Sequence, residues 1–254
     1  MREVERWRGT PEMQAQRASV RKLGQFAYFD HQLNHPDWTH KRVLDFGGTD
    51  GNLLWNSDCA IRHENYYCLD VIRDAIEAGR RTFPRAHWIH YDHYNCSFNP
   101  DGVPGLPIPD LGTEFDVILA YSVFTHTTPA NMHELVRQLR TRLAVRGVLA
   151  FTFEDVEGNL APRLRRFRDR NRSVDVDSLL QRSRGASWCA VVTDEGNVPE
   201  LFVDASGTWT DAQDHCINYD VYHTVDFMQR EFPDAVIRPP VNGECQHCCV
   251  IRNR

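Results

Sequence analysis

Long apolar stretches are missing from this 254-residue chain. Its most apolar short run, Val117 to Phe124, falls far short of the roughly 20 residues a bilayer-spanning helix needs, so no membrane partner is expected. The N-terminus, MREVERWRGT, is charged and has no apolar centre, so it does not read as a secretory leader. Basic charge is not in excess either. Lys and Arg number 29 against 35 Asp and Glu, a net charge of −6, which argues against a protein that coats nucleic acid. No internal repeat is visible. The eight cysteines are scattered through a chain too large to need stapling, and several fall in apparent strands, where a free thiol behaves as a small hydrophobe. These absences lead to the expectation of a cytoplasmic protein with reduced thiols.

What is present suits a sizeable core: 41% of residues are hydrophobic and 25% charged. The length fits one α/β domain with an insertion. Thr10-Pro11 reads as a helix cap followed by proline in the first turn, opening an interrupted apolar face to about residue 33. Strands are expected at Arg42–Phe46, Glu64–Leu69, Ala86–Tyr91, Phe115–Tyr121 and Val148–Phe153. Helices at Asp50–Trp55, at Val71–Thr82 and after Thr128-Pro129 alternate with them. The last of these places Met132, Leu135, Val136, Leu139 and Leu143 on one face, and Gly147 then turns the chain into the fifth strand. Residues 99–112 hold four prolines and three glycines and read as loop. Such alternation means a doubly wound, mostly parallel sheet with right-handed crossovers.

From residue 155 to 218 the rhythm breaks. An arginine-rich stretch precedes an apparent hairpin, Trp188–Val192 against Leu201–Val203 around Glu195-Gly196-Asn197. A last helix from Thr224 to Phe232 and a strand pair, Ala235–Ile237 with Gln246–Ile251, close the chain. The expected plan is therefore one domain: an N-terminal helical cap (1–41), a core (42–154), an insertion over the ligand (155–218) and a closing helix and strand pair (219–254).

In an open α/β sheet, ligands lie at the carboxyl ends of the strands, where strand order reverses. Asp45, Asp70, Asp92 and Tyr121 fall at or just past four such ends. Between the first strand and its helix stands Asp45-Phe46-Gly47-Gly48-Thr49-Asp50-Gly51. Its glycine spacing is not that of a dinucleotide fingerprint, because Thr49 stands at the second glycine, and the lysine-containing nucleoside-triphosphate loop is absent. Asp70 follows at about the distance expected of an acid that accepts from ribose hydroxyls. A ligand with ribose and adenine but no phosphate remains, namely S-adenosylmethionine.

In these residues the chain resembles a class I S-adenosylmethionine-dependent methyltransferase. The resemblance covers residues 42–153 and the closing strand pair, and Thr49 in place of the middle glycine is its main departure. It implies a Rossmann-like α/β fold: a seven-stranded sheet with helices on both faces and an antiparallel last strand. It also implies roles residue by residue. Gly47 lets the backbone pass the methionine moiety, with Asp45, Phe46, Gly48, Gly51 and Asn52 completing the loop. Asp70, with Val71 beside it, holds the ribose. Asp92 accepts from the adenine amino group, with Tyr91 or His93 against the ring. Tyr121 and Ser122 border the sulfonium, and S-adenosylhomocysteine is the implied product.

For the acceptor, a base matters only if a proton must leave, and His126 is the candidate. The alternative for His126 is that it packs or caps the next helix. Glu154 and Asp155 either face the acceptor or are loop acids, and Tyr28 and His31 are placed over the acceptor pocket by where such segments usually pack. The Asn/Asp-Pro-Pro-aromatic signature of amino-methylating nucleic-acid enzymes, a Pro-Cys nucleophile and the acid of magnesium-dependent catechol enzymes are all absent. A small-molecule acceptor, methylated at oxygen, is the resulting expectation. Rival readings are a fold relative without methyl transfer (a cyclase or a binding module) and an RNA-modifying enzyme. Eight arginines against three aspartates between Pro162 and Arg184 either attract an anionic acceptor or form a solvated helix with Leu164 and Phe167 inward. No metal site is expected: Cys245-Gln246-His247-Cys248-Cys249 lacks a second ligand pair and reads as a buried strand.

Overall fold

The computed structural model describes residues 24–193, 199–203, 218–241 and 243–253. The helix start at Thr10-Pro11 and the Glu195-Gly196-Asn197 turn lie outside the described residues.

The chain begins with α1 (Gln25–Gln32), then runs β1 (Val43–Phe46), α2 (Asn52–Asn56), β2 (Tyr66–Asp70), α3 (Arg73–Thr82), β3 (His87–His90), β4 (Phe115–Ala120), α4 (Pro129–Arg140) and β5 (Leu143–Asp155). β1 is buried at all four residues because it lies between two parallel partners, with Val43 opposite Tyr66 of β2 and Val117 of β4. A strand covered on both faces reads as a near-continuous apolar run and not as an alternation, with Asp45 the one polar residue of β1. The segment between β3 and β4 carries no helix, in keeping with its prolines.

After β5, a π-turn (Val156–Leu160) leads into α5 (Ala161–Arg170) and α6 (Val176–Arg182). Three strands follow, β6 (Trp188–Thr193), β7 (Pro199–Val203) and β8 (Asn218–His223), and then α7 (Val225–Glu231), β9 (Val236–Arg238) and β10 (His247–Arg252). Seven strands form the core in the order β3-β2-β1-β4-β5-β10-β9, with β10 antiparallel to both neighbours. This is the expected doubly wound sheet, and the order reverses between β1 and β4. One layer, under α1 to α3, packs Tyr28, Phe29, Leu53, Ile76, Trp88 and Cys248; the other, under α4 and α7, packs Met132, Leu135, Phe151, Met228 and Cys249. Cys248 and Cys249 thus point to opposite faces of β10.

The cap reading at Thr128-Pro129 holds in detail, and Thr224 caps α7 in the same way. Thr128 accepts a hydrogen bond from the Asn131 amide (3.1 Å) with Pro129 in the first turn, and Thr224 accepts from the Phe227 amide (3.1 Å). The end of α4 differs from expectation. The helix stops at Arg140, and Leu143 is the first residue of β5, paired with Phe115. Gly147 is not a turn into the strand but part of an irregularity within it. A β-carbon there would come within 2.8 Å of the Phe115 and Ala144 carbonyl oxygens, so only glycine lets the pairing with β4 continue.

The insertion is a small sheet of its own. β6 pairs antiparallel with β7 (Val191 opposite Leu201), as expected, and with β8 (Ala190 opposite Val221). β8 is a strand that the sequence pattern does not announce. Its ladder with the core has two pairs among the described residues, Tyr222 beside Glu154 and His223 beside Asp155. Leu160, Leu164 and Phe167 of the turn and α5 pack on this sheet with Cys189, Val191 and Tyr222, and so face inward as expected.

Candidate active site

The glycine loop leaves β1 at the point where strand order reverses. Gly47 has φ +78°, and a β-carbon on it would collide with Val123 Cγ2, so the loop passes directly against the segment after β4. Gly48 covers Asp45, whose carboxylate a β-carbon would strike. Gly51 (φ +93°) opens α2 above the Trp88 ring. Thr49 departs in residue type but not in conformation: its φ of +52° is left-handed, as the missing glycine would have been. Two contacts hold it there. Its amide donates to Asp70 Oδ2 at 2.8 Å, and its hydroxyl accepts from Asn52 Nδ2 at 3.3 Å.

Asp70 is buried and also accepts from the Ile72 amide at 2.7 Å. Burial raises its carboxyl to about 6 despite these two donors. The Val71 amide also favours the ionised form, and of a carboxylate's roughly four acceptor positions about one is left for a ligand. Asp45 lies deeper. Burial lifts it to about 7, against the opposing hydrogen bond from the Tyr66 hydroxyl at 2.5 Å. It therefore shapes the loop from beneath.

Two further residues are also core residues and do not line the site. Phe46 stacks with Phe124, at 6.4 Å between ring centroids. Tyr91 is buried in the same layer, with its hydroxyl donating to the Leu106 carbonyl. Of the two aromatic candidates for an adenine face, His93 is the half-buried one; it stacks on Tyr91 at 5.1 Å, and burial lowers its imidazole. Val71 packs against the α4 layer beside Asp70, and Asp92 accepts from Asn99 Nδ2 at 3.1 Å.

The segment after β4 is densely bonded. Ser122, left-handed at φ +55°, donates its amide to Thr152 Oγ1 (2.7 Å), and its hydroxyl accepts from Gln246 Nε2 (3.0 Å). The Tyr121 hydroxyl donates to Glu244 at 2.6 Å, which together with burial keeps the phenol protonated. Tyr28 packs edge-on against Tyr121 (5.7 Å) and donates to the Gln246 carbonyl at 2.9 Å, so it supports this wall from behind. His31 is exposed on the outer side of α1 and is not brought to the site.

His126 sits in a 3-10 turn after β4 (Phe124–His126). Its Nδ1 donates to the Tyr219 carbonyl at 2.8 Å and lies 3.6 Å from Asp220 Oδ1. With Nδ1 as donor, the neutral ring carries its lone pair on Nε2. Asp220 in turn pairs with Arg163 at 2.5 Å. One arginine of the run therefore reaches the cluster, but Asp220 takes up its charge. Burial, then Asp220, raises the Glu154 carboxyl at the end of β5, while His126 and Arg163 oppose the shift. Asp155 points the other way and accepts from the Gly158 amide at 3.0 Å, which makes it the cap of the π-turn and not an acceptor-facing acid.

Sequence reasoning missed Asp220, Tyr222 and Gln246. The first two lie in Asn-Tyr-Asp-Val-Tyr-His, where Tyr219, Val221 and Tyr222 are the strand signal and the polar residues between and after them mask it. Among the described residues no group of His, Cys, Asp and Glu is arranged to hold a metal ion, and no helix is long and apolar enough to cross a membrane.

Sheet order, glycine loop and strand-end acids together define the fold of the class I S-adenosylmethionine-dependent methyltransferases. Residues 44–149 match the family model described as a methyltransferase domain. Three solved structures illustrate the likeness of fold. One is an S-adenosylmethionine-dependent methyltransferase from Clostridium acetobutylicum ATCC 824, 9% identical, covering 91% of each chain, TM-score 0.53. Another is the glycopeptide N-methyltransferase MtfA with S-adenosyl-L-homocysteine, 12% identical, covering 96% of this chain and 98% of that one, TM-score 0.52. The third is the CcbJ methyltransferase from Streptomyces caelestis, 12% identical, covering 97% of each chain, TM-score 0.52. No curated protein matches the chain.

Proposed function

We propose that the protein transfers a methyl group from S-adenosylmethionine to a hydroxyl oxygen of a small-molecule acceptor. The observation that carries this reading is the loop cradle. Gly47 and Gly51 take left-handed φ and let the loop after β1 pack closely against Val123 and Trp88, and Asp70, at the next strand end, is tied to that loop through the Thr49 amide where strand order reverses. Asp70 would hold the ribose hydroxyls, Gly47 and Gly48 would border the methionine part, and Asp92 and His93 would meet the adenine. The cofactor supplies a methyl group activated by a sulfonium. The chain's own contribution is then to orient the acceptor, exclude water and take up a proton. His126 suits proton uptake, because the Tyr219 carbonyl fixes its tautomer and Nε2 is left to receive the hydroxyl proton.

The test is calorimetric titration with S-adenosylhomocysteine on wild type and Asp70→Ala, followed by turnover measurements on His126→Ala. Loss of Asp70 should weaken binding by about 1–3 kcal/mol, the usual cost of orphaned hydrogen bonds. His126→Ala should keep that affinity while its turnover falls by about 100-fold or more. Absence of binding to the wild-type protein would remove the cofactor assignment altogether.

A further inference from the structure

Two buried oxygens near Glu154, Gln246 Oε1 and the Tyr222 hydroxyl, have no hydrogen-bond partner among the described residues. Glu154 stands at the carboxyl end of β5, next to the turn that carries His126. Gln246, one step beyond the last ladder pair of His247 with Phe153, faces it across β10. That glutamine is only 6% exposed and gives its Nε2 to Ser122, which leaves Oε1 buried with no donor among the described residues. On the other side stands Tyr222, Glu154's register partner in β8, which is 0% exposed. Its hydroxyl lies close enough to Glu154 to favour the carboxylate but makes no hydrogen bond of normal geometry.

The cation within reach is already committed. Arg163 gives one terminal nitrogen to Asp220, and its guanidinium sits 5.0 Å above the Phe167 ring; its unpartnered Nε is the stem nitrogen of that group. A half-buried carboxylate such as Glu154 is stabilised by a counter-ion and donors, and a buried carbonyl oxygen needs a donor. An ammonium supplies one positive charge and three donors. An anionic acceptor would add charge of the wrong sign beside Glu154 and satisfy neither residue.

We propose that Glu154, with Gln246 and Tyr222 on either side, binds an ammonium group of the acceptor, so that the substrate is a hydroxyl-bearing amine. The inference rests on the reading of this region as the acceptor site. It replaces the anionic acceptor that the arginine run suggested from sequence.

Three phenols of similar size and different charge serve as probes: tyramine, 4-ethylphenol and 4-hydroxyphenylpropionate. Their affinities are measured by calorimetry or ligand-observed NMR on protein with and without S-adenosylhomocysteine. Tyramine should bind about tenfold or more tighter than either of the others, as expected for a charge-assisted contact in a partly desolvated site. Glu154→Gln should reduce it to the level of 4-ethylphenol while leaving S-adenosylhomocysteine affinity intact. Equal binding of the three, no binding of tyramine, preference for the carboxylate, or a preference for tyramine that survives in Glu154→Gln each overturns the proposal. The wild-type comparison decides the matter even if that variant does not fold. Failure of S-adenosylhomocysteine to bind, with the preference for tyramine intact, would count against the cofactor and not against the amine site.

Discussion

Thr49 shows how a single residue can depart from a motif and still keep its geometry. A β-branched side chain in the left-handed region costs about 1–2 kcal/mol, and here the Asp70 carboxylate holds the strained amide in place. Glycine would relieve the strain but raise the conformational entropy of the unfolded chain, so the two effects partly cancel. Thr49→Gly is therefore expected to raise unfolding free energy by about 1 kcal/mol or less, with S-adenosylhomocysteine affinity unchanged within about twofold. Denaturant titration and calorimetry check both parts. At this scale sequence was a good guide to backbone and a poorer one to side-chain direction. The positions of Gly47, Gly51, Asp70 and His126 followed from spacing. That Phe46 and Tyr91 turn into the core and His31 out to solvent did not, because residues adjacent in a strand-end motif point to opposite faces.

At the scale of elements, β5 is the organising feature. Its residues Val148–Phe153 pair with β10, and its last two, Glu154 and Asp155, pair with β8. One strand thus carries both the edge of the cofactor sheet and the root of the insertion. Leu164, fully buried between α5 and the small sheet, fixes the helix that brings Arg163 to Asp220. Leu164→Ala should destabilise the insertion by about 2–5 kcal/mol. Hydrogen exchange should show the loss confined to the insertion, and S-adenosylhomocysteine should bind as before. The alternating core was legible because each strand and helix there has its own apolar period. β8 was not, since Asp220 and His223 make it look polar, and its burial depends on partners about 30 residues away in the chain.

Across the whole molecule, buried ionisable groups pull stability in opposite directions with pH. His223 is wholly buried, stacks on Phe227 at 5.2 Å, and among the described residues neither of its ring nitrogens has a hydrogen-bond partner. Burial lowers its imidazole from 6.5 to about 3. The unfolded chain therefore takes up a proton that the folded one refuses. The group's contribution is fully present above pH 6.5 and is lost as pH falls toward 3, by about 1.4 kcal/mol per unit. His223→Phe removes this slope. The variant should gain on wild type steadily between about pH 6.5 and pH 4 in denaturant titrations. Asp45 and Asp70 act in the reverse sense: raised from 3.8 to about 7 and about 6, they favour the folded state in acid and lose that contribution as pH rises through those values.

The two-residue seam between β5 and β8 bears on the history of such a chain. A module that joins its host through so short a ladder, has its own small apolar centre and meets the rest of the core through side chains such as Cys96 and His126 can be remodelled with fewer changes to the loop that follows β1 than to the strands beside it. Lineages that share this core are then free to acquire new chemical tastes by trading the part that lies beyond Asp155.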